Sequence, residues 1–377
     1  MVFDFCDGAA EDEVTLRRNE RAFEDIEFLP QPLNATHLRP QSVELFGQRI
    51  ALPVLIGPTG MAGMLWPEGE VAAARAAAAA GTVYVMSHGS TVRIEDLAAR
   101  HEGLRWFQTF MYRDRGVTRS FAERSKAAGY QALVLTTDNQ VLGMRERDLR
   151  NGFTIPPRVT VRNALDMARC LPWLLRLSRT PNVTFANYVT EEKRDIVSLA
   201  AHMASLLDPE ASWRDVEWLR EIWDGPLLLK GVLHPAEARR AVELGIDGVI
   251  VSNHGGRQLD GAISAIEALP GVVAAVDGRV PVLIDGGLRR GTHVVKALAL
   301  GATACLIGRP QLWGLAVGGE AGVARVLDIL RRDIDRVLAL CGWDGVDAVG
   351  PTAVRWRGFR ERGWERGGHD SISVAAG

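Results

Sequence analysis

His254 and Arg257 stand three residues apart in Ser252-Asn253-His254-Gly255-Gly256-Arg257-Gln258-Leu259-Asp260, directly after the apolar run Gly248-Val249-Ile250-Val251. An imidazole holds or releases a proton near neutral pH, and a guanidinium is a permanent forked cation shaped for a carboxylate. On a glycine-loosened turn the two fit an anionic substrate that loses a proton. Taken alone, the same spacing also describes a hydrogen-bonded loop histidine beside a surface arginine. The rest of the chain has to decide.

Eight short apolar runs, at 52–58, 82–87, 105–111, 132–138, 227–232, 248–254, 280–287 and 304–309, each end near glycine or a polar residue. Helical stretches alternate with them, such as the alanine-rich one that starts at Glu68 and stops at Gly81, and 235–244, which stops at Gly245. Alternation of this kind builds parallel sheet. Eight βα units predict a closed TIM (β/α)8 barrel over the competing doubly wound open sheet. In a barrel the chemistry stands at the carboxyl ends of the strands. Those ends carry Pro58-Thr59-Gly60, Ser87, Gln108, Thr136 with Asp138, Lys230, Ser252 with His254, Asp285-Gly286-Gly287 and Gly308-Arg309. One shared pocket explains their common position.

The last two stretches suit a phosphate, which barrels bind after strands seven and eight on glycine-exposed amides and a helix N-terminus. Arg289 and Arg309 would add charge-assisted bonds. Lys230 reads two ways, as an imine former or as a fixed cation beside a ring that takes up negative charge. Asp138 is placed to orient His254. Arg145, seven residues further on, would complete a two-arginine clamp with Arg257.

The 377-residue chain has room for one large barrel. A net charge of −2 excludes a nucleic-acid binder acting through a basic surface, and a small-molecule substrate is expected. Cys6, Cys170, Cys305 and Cys341 show no paired spacing of a metal site or disulfide framework, so no metal is expected and a cytoplasmic protein fits. No run reaches membrane-spanning length, and the acidic start is not a signal peptide. Roughly ninety residues separate the fourth and fifth strands, which places an insert at about 143–215. Within it, the apolar stretch 163–179, with Trp173 and Arg176, reads as a lid over the barrel mouth or as a peripheral contact with the inner face of a membrane. Helical spacing from Glu320 to Cys341 predicts a C-terminal helix closing a single domain at 1–354. A basic tail, 355–377, follows, read as a loosely ordered or subunit-contacting end and not as a nucleic-acid site.

These motifs resemble those of the FMN-dependent 2-hydroxy acid oxidases and dehydrogenases, the group of glycolate oxidase, lactate oxidase and mandelate dehydrogenase. The resemblance covers about nine tenths of the chain and rests on 252–260 and on Asp285-Gly286-Gly287 followed by Arg289-Arg290-Gly291. The insert is most similar to that of mandelate dehydrogenase, through Asn151-Gly152-Phe153, Pro156-Pro157-Arg158, Ala186-Asn187-Tyr188-Val189 and, after the signature, Ala262-Ile263-Ser264. The resemblance implies FMN as cofactor, resting on Pro58, Thr59 and Gly60 and meeting Ser87, Gln108 and Thr136 around its ring. Lys230 would face the ring edge with Ser252 nearby. Asp285 would take the ribityl chain, and Gly287, Arg289, Gly308 and Arg309 the phosphate. His254 becomes the base, Asp138 its partner, and Arg257 and Arg145 the carboxylate ligands. Oxygen or a quinone would collect the electrons, and the family habit is a homotetramer.

Three departures change the expectation. Phe5 and Phe110 stand where the family usually has tyrosines, so both pocket hydroxyls are gone; Gly89 replaces a larger residue over the pocket. Gly89 and Phe110 are expected to leave room for an aryl group, which predicts oxidation of a bulky, mandelate-like 2-hydroxy acid. The alternatives are an FMN-dependent tailoring oxidase of an amine or larger intermediate, a barrel lyase or isomerase that uses Lys230 without flavin, and a flavin-binding barrel that has lost catalysis.

Overall fold

The computed structural model describes residues 2–34, 37–153, 170–178, 184–188 and 205–357. Eight parallel strands close into a barrel: β1 (Val54–Ile56), β2 (Tyr84–Ser87), β3 (Arg105–Thr109), β4 (Ala132–Thr136), β5 (Leu227–Val232), β6 (Gly248–Val251), β7 (Val282–Ile284) and β8 (Ala304–Ile307). Most of their residues are buried, as parallel strands covered on both faces require. The eight runs expected from the sequence are these strands; β5 spans its whole run and the other seven are shorter than theirs, most of them because the chain leaves the ladder where the polar groups begin.

Side chains along a strand alternate between faces. One set, including Ile56, Met86, Phe107, Leu135, Leu229 and Val251, packs in the cluster shared with the surrounding helices. The other, Leu55, Val85, Trp106, Val134, Leu228, Ile250, Leu283 and Leu306, fills the barrel interior together with Leu45 and Ile50. Those last two belong to the hairpin Val43–Leu45 and Gln48–Ile50, which packs against that interior layer. Two residues beyond each interior side chain, on the same face, come Gly57, Ser87, Gln108, Thr136, Lys230, Ser252, Asp285 and Gly308. The polar ring is the next layer of the barrel axis.

Eight helices follow the strands: α1 (Gly69–Ala79), α2 (Ile94–Arg100), α3 (Arg115–Ala127), α4 (Trp213–Ile222), α5 (Pro235–Glu243), α6 (Ala265–Val276), α7 (Gly291–Ala299) and α8 (Arg309–Cys341). The expected C-terminal helix is the second half of α8. The element already starts at Arg309 and breaks at Gly318 and Gly319, where the dihedrals leave the helical region. The chain start forms helices Val2–Asp7 and Val14–Arg21 that pack by the strand ends of β6 to β8. Asp260 Oδ1 accepts from Thr15 N at 2.7 Å and caps the second helix, while Asn19 and Asn253 exchange two 2.8 Å amide bonds. Val354–Trp356 pairs antiparallel with Ile26–Phe28. Arg355, Trp356 and Arg357 are therefore part of the folded body, and the remainder of the basic tail, 358–377, lies outside the described residues.

Of the insert, residues 154–169, 179–183 and 189–204 lie outside the described residues, and with them 163–169 and 179 of the stretch 163–179 and the motif at Pro156-Pro157-Arg158. The helix Leu171–Leu177 docks through Trp173 Nε1, which donates to Met64 O at 2.9 Å, and through Arg176 over the Trp66 ring. At 184–188, Ala186 N donates to Ser90 O at 3.0 Å. No helix among the described residues is long and apolar enough to cross a membrane.

Glu70 joins the two loops under this insert. Fully buried, it accepts from Ala62 N at 3.1 Å, Thr91 N at 2.8 Å and Thr91 Oγ1 at 2.6 Å. Glu70→Ala leaves buried amides unpaired, each costing about 1–3 kcal/mol, so a urea melt should show a loss of about 3 kcal/mol, while Glu70→Gln keeps a larger share.

Candidate active site

Ser252 follows β6 and turns the chain. Its hydroxyl accepts from His254 N at 3.0 Å and from Lys230 Nζ at 2.8 Å. His254 sits at φ +58°, a costly backbone for a residue with a side chain. The strain presents the imidazole to Asp138, whose Oδ1 lies 3.0 Å from Nδ1. A carboxylate at Nδ1 sets the tautomer with the proton there, so Nε2 is left with a lone pair for the cavity that His254 lines. Burial lowers the imidazole pKa below its ordinary value, against the opposing pull of Asp138. Burial raises Asp138, but His254 and then Lys230 outweigh it and hold the carboxyl below its usual range. At neutral pH the pair is carboxylate and neutral imidazole, a base ready to accept.

Arg145, Arg257, Arg289 and Arg309 all line the same cavity of about 620 Å3. Burial, then the neighbouring Arg257, pushes Arg145 down to about 9, and its Nε has no partner among the described residues. Arg257 donates to Gly8 O at 2.7 Å and lies over the Phe5 ring. Arg309 reaches three backbone carbonyls, of Asp7, Gly255 and Gly8, and burial with Arg257 and Arg289 brings it to about 9 as well. Arg289 pairs with Glu20 at 2.7 Å and covers Trp313. Buried guanidinium groups crowded on one wall demand anions.

The polar ring fits FMN. Thr136 Oγ1 and Asp285 Oδ1 are buried on the cavity wall without hydrogen-bond partners among the described residues, and buried polar atoms are normally paired. Lys230 Nζ meets the other Asp285 oxygen at 2.8 Å. Ser87 Oγ and Gln108 Oε1 are 3.4 Å apart. Gly287, at φ +77°, lies so near the Asn19 carbonyl that a Cβ would collide with it, and Gly308 caps the N-terminus of α8. Glycine amides, a helix start and two arginines make a phosphate cradle. Among the described residues no group of side chains is placed for a metal.

Every site residue expected from the sequence lines this cavity except Asp138 and Ser252, which stand behind His254 and Lys230. One expectation is corrected. The space over Gly89 is not open, because Phe185 of the insert occupies it, and a Cβ at Gly89 would lie 3.2 Å from that ring. The sequence reading missed Phe185, Phe153, Asp148 and His88 on the wall. His88, between two residues that were expected there, was the one with a local signal.

The closed barrel, the imidazole and carboxylate pair, the arginines and the cradle define a flavin-dependent oxidoreductase of small anionic substrates. The family profile described as FMN-dependent dehydrogenase matches residues 1–356, and the chain belongs to that family, with FMN as cofactor. It is similar to the L-lactate oxidase of Nostoc sp. (44% identity, 91% of this chain and 90% of the relative). It is also similar to the (S)-mandelate dehydrogenase of Pseudomonas putida (43% identity, 95% and 90%). A crystal structure described as the monotopic membrane protein (S)-mandelate dehydrogenase superposes with a TM-score of 0.90 at 42% identity, covering 94% of each chain. The protein is an FMN-dependent 2-hydroxy acid oxidase or dehydrogenase.

Gly287→Ala should push the helix Val14–Arg21 away from the strand ends. The purified variant is expected to carry less FMN per chain by absorbance and to melt several degrees lower, by about 2 kcal/mol or more.

Proposed function

We propose that the protein oxidises an aryl or similarly bulky, mandelate-like 2-hydroxy acid to the 2-oxo acid. The observation that carries this reading is an aromatic wall. Phe5 stacks on Phe153 with centroids 4.5 Å apart, and Phe110 and Phe185 complete the apolar side of the cavity. Phe185 takes the room over Gly89, so the aryl group is received between these rings and not above the glycine.

FMN, when bound, supplies the two-electron acceptor. Ser87, Gln108 and Thr136, with the backbone of Pro58, Thr59 and Gly60, would hold its ring; Lys230, with Ser252, would offer that ring a cation; Asp285 would bind the ribityl chain; Gly287, Arg289, Gly308 and Arg309 would bind the phosphate. Arg257 and Arg145 bind the substrate carboxylate. Loss of two hydrogens from a 2-hydroxy acid releases a proton, from the hydroxyl or from the α carbon, and His254 Nε2 receives it while Asp138 stabilises the imidazolium. Lys230 Nζ is held between Asp285 and Ser252, which supports electrostatic work and not imine formation. Exposed Leu171 and Leu175 on the insert helix support contact with an apolar surface and a quinone as final acceptor. Oxygen is the alternative, and rapid reoxidation of the reduced protein in air would select it.

Anaerobic addition of mandelate should bleach the flavin band at least tenfold faster than lactate or glycolate at equal concentration. Faster bleaching by lactate would sink the aryl reading. A protonated His254 cannot accept, so kcat/KM should be flat at neutral pH and fall on the acid side, below about pH 6.5. Asp138→Asn removes the charge that raises the imidazole. Steady-state kinetics should show kcat/KM about 10²- to 10⁴-fold lower and the remaining acid limb moved to lower pH.

A further inference from the structure

His88 has no part in the reading above. It follows Ser87 at the end of β2, is half-buried, and lines the cavity. Its Nδ1 lies 2.6 Å from the Tyr188 hydroxyl, and that hydroxyl bonds the Tyr112 hydroxyl in turn. The ring packs on Phe110 with centroids 4.4 Å apart, and its edges meet Tyr112 and Tyr188. With Nδ1 engaged, Nε2 has no hydrogen-bond partner among the described residues. Burial, then the nearby His254, lowers the imidazole pKa to about 3. The ring is therefore neutral in any working buffer and offers no charge to an anion.

The arginines already answer the carboxylate, and His254 answers the proton that leaves. Phe5 and Phe110 bring no hydroxyl to the aromatic wall. His88 is the neutral hydrogen-bonding group set among those rings. Each tyrosine hydroxyl both donates and accepts, so the chain from Tyr112 through Tyr188 can run in either direction and leave Nε2 as donor or as acceptor. A site built this way favours a neutral hydroxyl and discriminates against the analogue that lacks it, which would leave a buried polar atom unpaired.

We propose that His88, held by Tyr188 and Tyr112, is a specificity-determining group that hydrogen-bonds a hydroxyl carried on the aryl part of the substrate. This rests on the aryl reading of the site and adds what the aryl group carries.

The test uses the FMN-loaded protein with mandelate, 3-hydroxymandelate and 4-hydroxymandelate. Dissociation constants of benzoylformate and its ring-hydroxylated forms are read in parallel from the flavin visible spectrum. The expected result is a preference of about tenfold for at least one ring-hydroxylated acid, in kcat/KM and in binding of its 2-oxo acid. His88→Phe should bring both ratios to about one, and His88→Gln should restore part of them. Tyr188→Phe removes only the hydroxyl, should lower the ratios, and covers a His88→Phe variant that fails to fold; unchanged ratios there overturn the proposal. Ratios near one in the wild type, or equal losses on all substrates in His88→Phe, also overturn it. If none of the acids reduces the flavin, the aryl reading fails by itself. The 2-oxo acids then still decide: a His88-dependent preference upholds the proposal, and equal or absent binding ends it.

Discussion

A lysine ammonium at the floor of a closed barrel has to be paired, because removing an ion from water costs several kcal/mol even after the protein relaxes. Lys230 Nζ is held by Asp285 and by Ser252, each at 2.8 Å. Its two partners sit just beyond β7 and β6, so the ends of three neighbouring strands are tied at one charge. Ser252 then spends its remaining capacity on His254 N, and the positive φ of His254 follows from that turn. The position of the base and the charge at the cavity floor are one arrangement.

Above that floor the charges are sorted by place. Arg145 and Arg309 are depressed to about 9 and still cationic at neutral pH. The histidines are depressed as well, and this makes them neutral. Burial acts in the same direction on every cation, but it switches off only the groups whose ordinary pKa is already near 7. One physical effect thus leaves an anion-binding wall of arginines and two uncharged imidazoles inside the same cavity.

The N-terminal segment is part of the site. Gly8 O accepts from both Arg257 and Arg309, and Asp7 O accepts from Arg309 as well. These carbonyls neutralise no charge, yet they fix two guanidinium groups without cancelling them, so both remain available to an anion. The insert works on the opposite side. It covers Gly89 with Phe185 and ties Tyr188 to His88, closing the cavity with aromatic surface where the barrel alone would leave it open.

The barrel and the polar ring were legible in the sequence because both are local. Period-two burial, glycine stops and helical spacing each need only a few neighbouring residues, and a group two positions past an interior side chain, such as Thr136 after Val134 or Lys230 after Leu228, must face the barrel axis. The signature loop around His254 carried enough residue types in order to point to a proton acceptor beside a carboxylate ligand. What the tertiary structure decided are contacts between distant segments: His88 with Tyr188, 100 residues apart, and Arg309 with the Asp7 carbonyl, 302 apart. The pairing of Ile26–Phe28 with Val354–Trp356 is of the same kind. Gly89 shows the difference most plainly. Its lack of a side chain is written in the sequence, but whether that space receives a substrate or the Phe185 ring depends on how the insert packs, and no local pattern encodes that choice.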